Sequence, residues 1–172
     1  MLERIANRID QLNDWVGRQV SWLNTLLVLL VCVDVFIRYL LSDSSAWIME
    51  LEWHLFAAIF LLGAGYAFQH DRHVRVDLFY ANMSKRDQAM VDFVGTLLFL
   101  VPWCIVLIYV SYRYAWQSFV IRESSPDPGG LPARYVIKFM ISIGLLLLLL
   151  QAISKLIRTG LTLRDTRTDE ID

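Results

Sequence analysis

Apolar residues along the chain gather into four blocks, residues 20–41, 47–69, 90–121 and 136–157. A hydrocarbon core of about 30 Å takes about 20 helical residues at about 1.5 Å each, so each block is long enough to cross. Lipid cannot hydrogen-bond an exposed backbone, which leaves helices or a closed barrel. Barrel strands alternate polar and apolar positions, and the unbroken leucine run at 145–150 does the opposite. The pattern predicts an all-α integral membrane protein with four transmembrane helices, at about 20–41, 47–69, 88–121 and 132–158, and a tail over 159–172. Ahead of the first block, Leu2, Ile5, Ile9, Leu12, Val16 and Val20 recur at helical spacing, with Arg4, Asn7, Arg8, Gln11 and Asp14 on other faces. Residues 1–19 are therefore expected to form an amphipathic arm on the membrane surface with Trp15 at headgroup depth, the alternative being a plain extension of helix 1.

Punctuation refines these elements. Ser84 and Asp87 have capping-box spacing and would start helix 3. Pro102 removes one hydrogen bond inside that helix and should bend it. Residues 90–121 would measure about 48 Å as a helix, so its aromatic-rich far end is expected to stand clear of the bilayer. Pro132 suits the first turn of helix 4. The middle connection, with Val74, Val76, Leu78, Phe79, Tyr80 and Met83, is too apolar for a plain linker and should rest in the interface.

Charge sharpens the picture. The chain has 172 residues, 56% hydrophobic and 19% charged. The four blocks hold only Asp34, Arg38, Glu50, Glu52, Asp92, Arg113, Lys138 and Lys155 of its charged residues. Such segregation excludes a soluble globule, a disordered chain and a nucleic-acid binder, which would need a basic face. The first block is too long for a secretory signal and is read as retained. Cys32 and Cys104 fall inside spans and read as small core residues. Eleven basic residues lie in the N-terminal arm, the middle connection and the tail, against five around the other two connections. Positive residues stay in the cytoplasm, so both termini are expected inside.

Candidate chemistry lies in the intramembrane charges, each costly enough to need a reason. Asp34 and Arg38 are four apart on helix 1 and can pair. Arg38 and Glu50 reach similar depth across the first hairpin, with Glu52 on the same helix, His54 one turn below Glu50 and Lys138 entering from the same side. A self-neutralising polar network that fixes packing or docks a partner is the favoured reading. The alternative is a self-sufficient ion- or proton-coupled exchanger using Asp34 or Glu50. Arg113, Trp116, Arg122 and Glu123 crowd the outer end of helix 3 as a candidate docking surface. His54, His70 and His73 cannot pair across the bundle as haem ligands, and His70, Asp71 and His73 are read as solvated loop residues. No catalytic residue, metal site or cofactor is expected.

Several stretches then become recognisable together. Arg38-Tyr39 closes helix 1, Trp47 and Glu50 open helix 2, Leu62-Gly63-Ala64 lies within it, and His73-Val74-Arg75-Val76-Asp77 follows it. Gly130-Leu131-Pro132 leads through Ile143-Gly144 to Gln151. In order and spacing these resemble the small membrane subunit of tripartite ATP-independent periplasmic (TRAP) transporters, with Gln69 where a basic residue would be expected. The resemblance implies a bacterial inner-membrane accessory subunit rather than an enzyme. It implies a large many-span membrane subunit and a periplasmic solute-binding protein as partners. It also implies sodium-driven import of organic acids, and marks His73 and Asp77 as family-motif loop residues.

Overall fold

Residues 2 to 40 form one unbroken helix, α1 (Leu2–Leu40). In the computed structural model, which describes residues 1–42, 45–70, 80 and 82–168, three more long helices follow: α2 (Ala46–Gln69), α3 (Lys85–Val120) and α4 (Tyr135–Thr168). All four are long and apolar enough to cross a membrane. At about 1.5 Å per residue α1 measures about 58 Å, nearly twice the hydrocarbon thickness. The residues that the sequence divides into an arm and a span are thus two halves of one helix.

The side of that first half which packs inward is the small and polar one. Ala6, Asn13, Gly17 and Val20 are buried, spaced by seven, four and three, while Leu2, Ile5, Leu12 and Trp15 remain exposed. Helices in lipid gain nothing by hiding leucine from leucine-like tails; they associate through small residues that let backbones approach and through polar groups that bond across.

α4 is the hub, packing against α1, α2 and α3, while α1 also packs along α2. Gly144 makes the α2–α4 contact possible. A Cβ there would lie 2.7 Å from the Leu61 carbonyl carbon and collide with its oxygen. Backbone cannot swing aside as a side chain can. Gly144→Ala should force the two helices apart at a cost of about 1–3 kcal/mol, typical of overpacking. A thermal midpoint in detergent unchanged from the parent would refute that reading.

Helix 3 starts as the capping signal predicts: Ser84 is the N-cap and its hydroxyl oxygen accepts from the Asp87 backbone N–H. Pro102 is absorbed by a π-helical turn, Thr96–Leu100, rather than by a simple bend. There the Val101 N–H donates to Thr96 O, five residues back. Widening the turn makes room for a ring that would otherwise clash with the carbonyl four residues earlier. Pro132 lies outside α4, which begins at Tyr135. The intervening Ala133 is in the left-handed region at φ 65, a conformation a helix cannot include.

Candidate functional site

Two polar networks sit at opposite ends of the bundle. At the end that holds the 121–134 connection, Glu50 is 4% exposed and bound from several directions. Its carboxylate accepts from the Leu131 backbone N–H at 2.6 Å, from Arg134 Nη2 at 2.8 Å and from the Ser125 hydroxyl. Gly130 completes the cradle, since a Cβ there would lie 2.9 Å from Glu50 Oε2. The carboxylate thus pins the loop, including its backbone, to the first turns of α2. Within the loop, the Ser125 N–H donates to Leu131 O and the Arg134 N–H to Glu123 O.

Arg38 takes Asp34, one turn earlier on its own helix, as expected. The pairing of Arg38 with Glu50 that their matched depth suggested does not form. Asp34 is already within reach along α1, and the loop folds back to offer Glu50 a fuller donor set. Lys138 likewise leaves Glu50 alone. It binds Glu123 and lies 4.0 Å from the centre of the Tyr114 ring, a cation–π contact. His54 does share the Glu50 face, its Nδ1 against the Glu50 carbonyl and its ring 3.8 Å from that of Trp53. Glu52 joins none of these pairs: its Oε1 is buried without a hydrogen-bond partner among the described residues.

The end of α3 beside the 121–134 connection carries its residues as a surface. Arg113 donates to the Tyr109 hydroxyl at 3.3 Å, and Trp116 stacks on Tyr112 at 6.3 Å. Arg122 is left-handed at φ 49 and closes the helix. Its N–H donates to Phe119 O and that of Glu123 to Ser118 O, the paired bonds of a Schellman cap. His73 and Asp77 lie outside the described residues, as does most of the middle connection.

Glu123 stands between helices, and the Lys138 ammonium holds its carboxyl below the ordinary 4.5. A depressed folded value means that the unfolded chain binds the proton more readily. The pair's contribution is complete above about pH 4.5 and is lost as pH falls through the lower folded value. The gap in thermal midpoint between parent and Lys138→Gln should hold steady from about pH 5 to 7 and close only under more acid conditions. A gap that vanishes near neutrality would point to another source.

The second network, at the end holding the termini, was not anticipated. Asp10 accepts from Gln151 Nε2 at 2.8 Å, Ser154 Oγ at 2.7 Å and Arg158 Nε at 3.0 Å. Asn13 Nδ2 donates to Gln151 Oε1 at 2.8 Å, and Arg158 reaches Asn7 Oδ1 at 2.8 Å. Lys155 pairs with Asp92 at 3.2 Å, bringing in α3, and His70 meets Asp14 at 3.0 Å. Together they bind the first half of α1 to α4 and to the end of α2. Among the described residues no three His, Cys, Asp or Glu are grouped to hold a metal ion.

Residues 27–160 match the family of the DctQ component of tripartite ATP-independent periplasmic transporters. The chain belongs to this family. It is thus a small TRAP permease subunit, a multi-pass protein of the bacterial inner membrane in a family of transporter subunits. A curated relative, the C4-dicarboxylate TRAP transporter small permease protein DctQ of Vibrio cholerae serotype O1, is 23% identical over 135 residues. The match takes in 78% of this chain but only 57% of that relative. The family match encloses the Glu50 cradle and begins beyond Asp10 and Asn13.

Proposed function

We propose that this small permease subunit is the bracing partner of a large membrane subunit in a sodium-coupled transporter. A periplasmic binding protein delivers an organic acid to the pair, and both termini of the present chain face the cytoplasm. The family match over 27–160 carries this reading, and the disposition of charge agrees with it. Asp34 is matched by Arg38 and Glu50 by Arg134, so neither carboxylate is left as the exchangeable site that a self-sufficient exchanger would need. The sodium and solute sites then belong to the large subunit. The name of the Vibrio relative makes a C4-dicarboxylate the first solute to try.

The test is reconstitution. A large TRAP membrane subunit, co-expressed with this chain and purified through a tag on the small subunit, should enter liposomes with it as a complex. Succinate uptake should require a sodium gradient, the binding protein and both membrane chains. Uptake by the small subunit alone would favour the exchanger, and failure to co-purify would remove the bracing role. The surface bearing Arg113, Trp116, Arg122 and Glu123 is the part of this chain we assign to the binding protein. Arg122→Glu is the cleaner probe there, because Glu123 also holds Lys138.

A further inference from the structure

One half-buried carboxylate, that of Glu52, keeps an oxygen with no hydrogen-bond partner among the described residues. Glu52 lines a groove of about 360 Å³ between α1 and α2, with Leu27, Val31, Met49, Trp53 and Phe56. Its Oε1 is closed off and unpartnered, while the neighbouring charges that act on it are Asp34 and Arg38, which bind each other. An unpaired carboxylate in hydrocarbon is costly, and lipid tails bring no donor. The same face of α2 runs on through Phe56 and Phe60, 62% and 70% exposed, to Gly63. A Cβ on Gly63 would meet no atom within 4 Å, so nothing in this chain's own packing uses the missing side chain. A carboxylate awaiting a donor and a glycine awaiting a close neighbour, eleven residues apart, fall on one side of one helix.

We propose that this α1–α2 face receives a transmembrane helix of the large subunit. That helix presents an arginine or lysine to Glu52 and packs closely over Gly63. The inference rests on the bracing role proposed above and names the surface that performs it. A second copy of this chain is a poor occupant, because a twofold contact sets like patches together and would bring Glu52 toward Glu52. A lipid leaves the carboxylate unanswered. A second groove, lined by Phe68 of α2 and by Thr96, Phe99 and Trp103 of α3, lacks such an unpaired group among its lining residues.

The experiment uses the co-expressed complex and the isolated small subunit, with a photoreactive amino acid at Phe56 or, as control, at Trp103. Illumination should join Phe56, and not Trp103, to the large subunit. Glu52→Gln should lower recovery of the complex roughly tenfold, the scale of a lost charged hydrogen bond, yet raise the thermal midpoint of the isolated subunit by removing a half-buried, unpaired charge. Gly63→Leu should also reduce recovery while leaving the isolated subunit intact, since its side chain enters open space. Adducts from Trp103 alone, adducts joining two small subunits, or a complex indifferent to both substitutions would overturn the assignment. So would Glu52→Gln weakening the isolated subunit, for the carboxylate would then serve this chain's own fold. If the parent chains co-purify while these results appear, the bracing role stands and only the face is wrong. If they do not co-purify, both readings fall.

Discussion

Glu50→Ala is expected to unlatch the 121–134 connection and to cause the largest loss of stability at that end of the molecule. The substitution strands three donors at once: the Leu131 N–H, the Ser125 hydroxyl and the Arg134 guanidinium. Arg134 is only partly exposed, so water cannot fully replace the lost carboxylate. The thermal midpoint should fall by roughly 5–10 °C for a chain of this size, and trypsin should gain access to Arg122 and Arg134. Glu50→Gln should do less, since an amide oxygen can still accept from Leu131 but cannot neutralise Arg134. A double-mutant cycle identifies the partner. Glu50→Ala with Arg134→Ala should lose less than the sum of the two single changes, whereas Glu50→Ala with Arg38→Ala should be additive. Coupling to Arg38 instead would restore the pairing that depth alone suggested and contradict the geometry described here.

That contrast shows what was legible in the sequence. The number of spans was, because hydropathy and length are properties of a segment by itself; the Ser84 cap was too, because it is local. Depth along a helix could also be counted, and it placed Arg38, Glu50 and Lys138 at one end of the bundle. What counting along an axis cannot supply is azimuth, or the path of a connection that folds back between helices. Arg134 was visible only as a loop charge, and nothing in its spacing from Glu50, 84 residues away, announced a pair. Pro102 signalled a defect in helix 3 but not that a π turn would absorb it. The first half of α1 carries a different lesson. Its apolar stripe reads as the face that an interfacial arm turns to the membrane, and it does not say which face meets the other helices. Here the stripe of Ala6, Asp10, Asn13, Gly17 and Val20 makes the contact, and a period near 3.5 in small and polar residues was the available signal.

The network around Asp10 leads to the second large effect. Asp10→Ala removes the common acceptor of Gln151, Ser154 and Arg158, three side chains on one stripe of α4. Gln151 would keep its bond to Asn13, and Arg158 is half-exposed and can turn to water, so part of the loss is recoverable. Ser154 is completely buried and would keep only its long contact with Ala6 O at 3.4 Å. A net cost of about 2–3 kcal/mol follows from one stranded buried donor and one weakened ion pair, or a midpoint lower by roughly 4–10 °C. Arg158→Ala should cost less than half as much because its guanidinium is the solvent-facing member. Leu12→Ala, on the exposed stripe, should be nearly neutral in detergent. A spin label at Ala6 or Asn13 in the Asp10→Ala background should gain mobility, while one near Leu26 should not, localising the release to the first half of α1. If Leu12→Ala proves as harmful as Asp10→Ala, the apolar stripe and not the polar one anchors the helix.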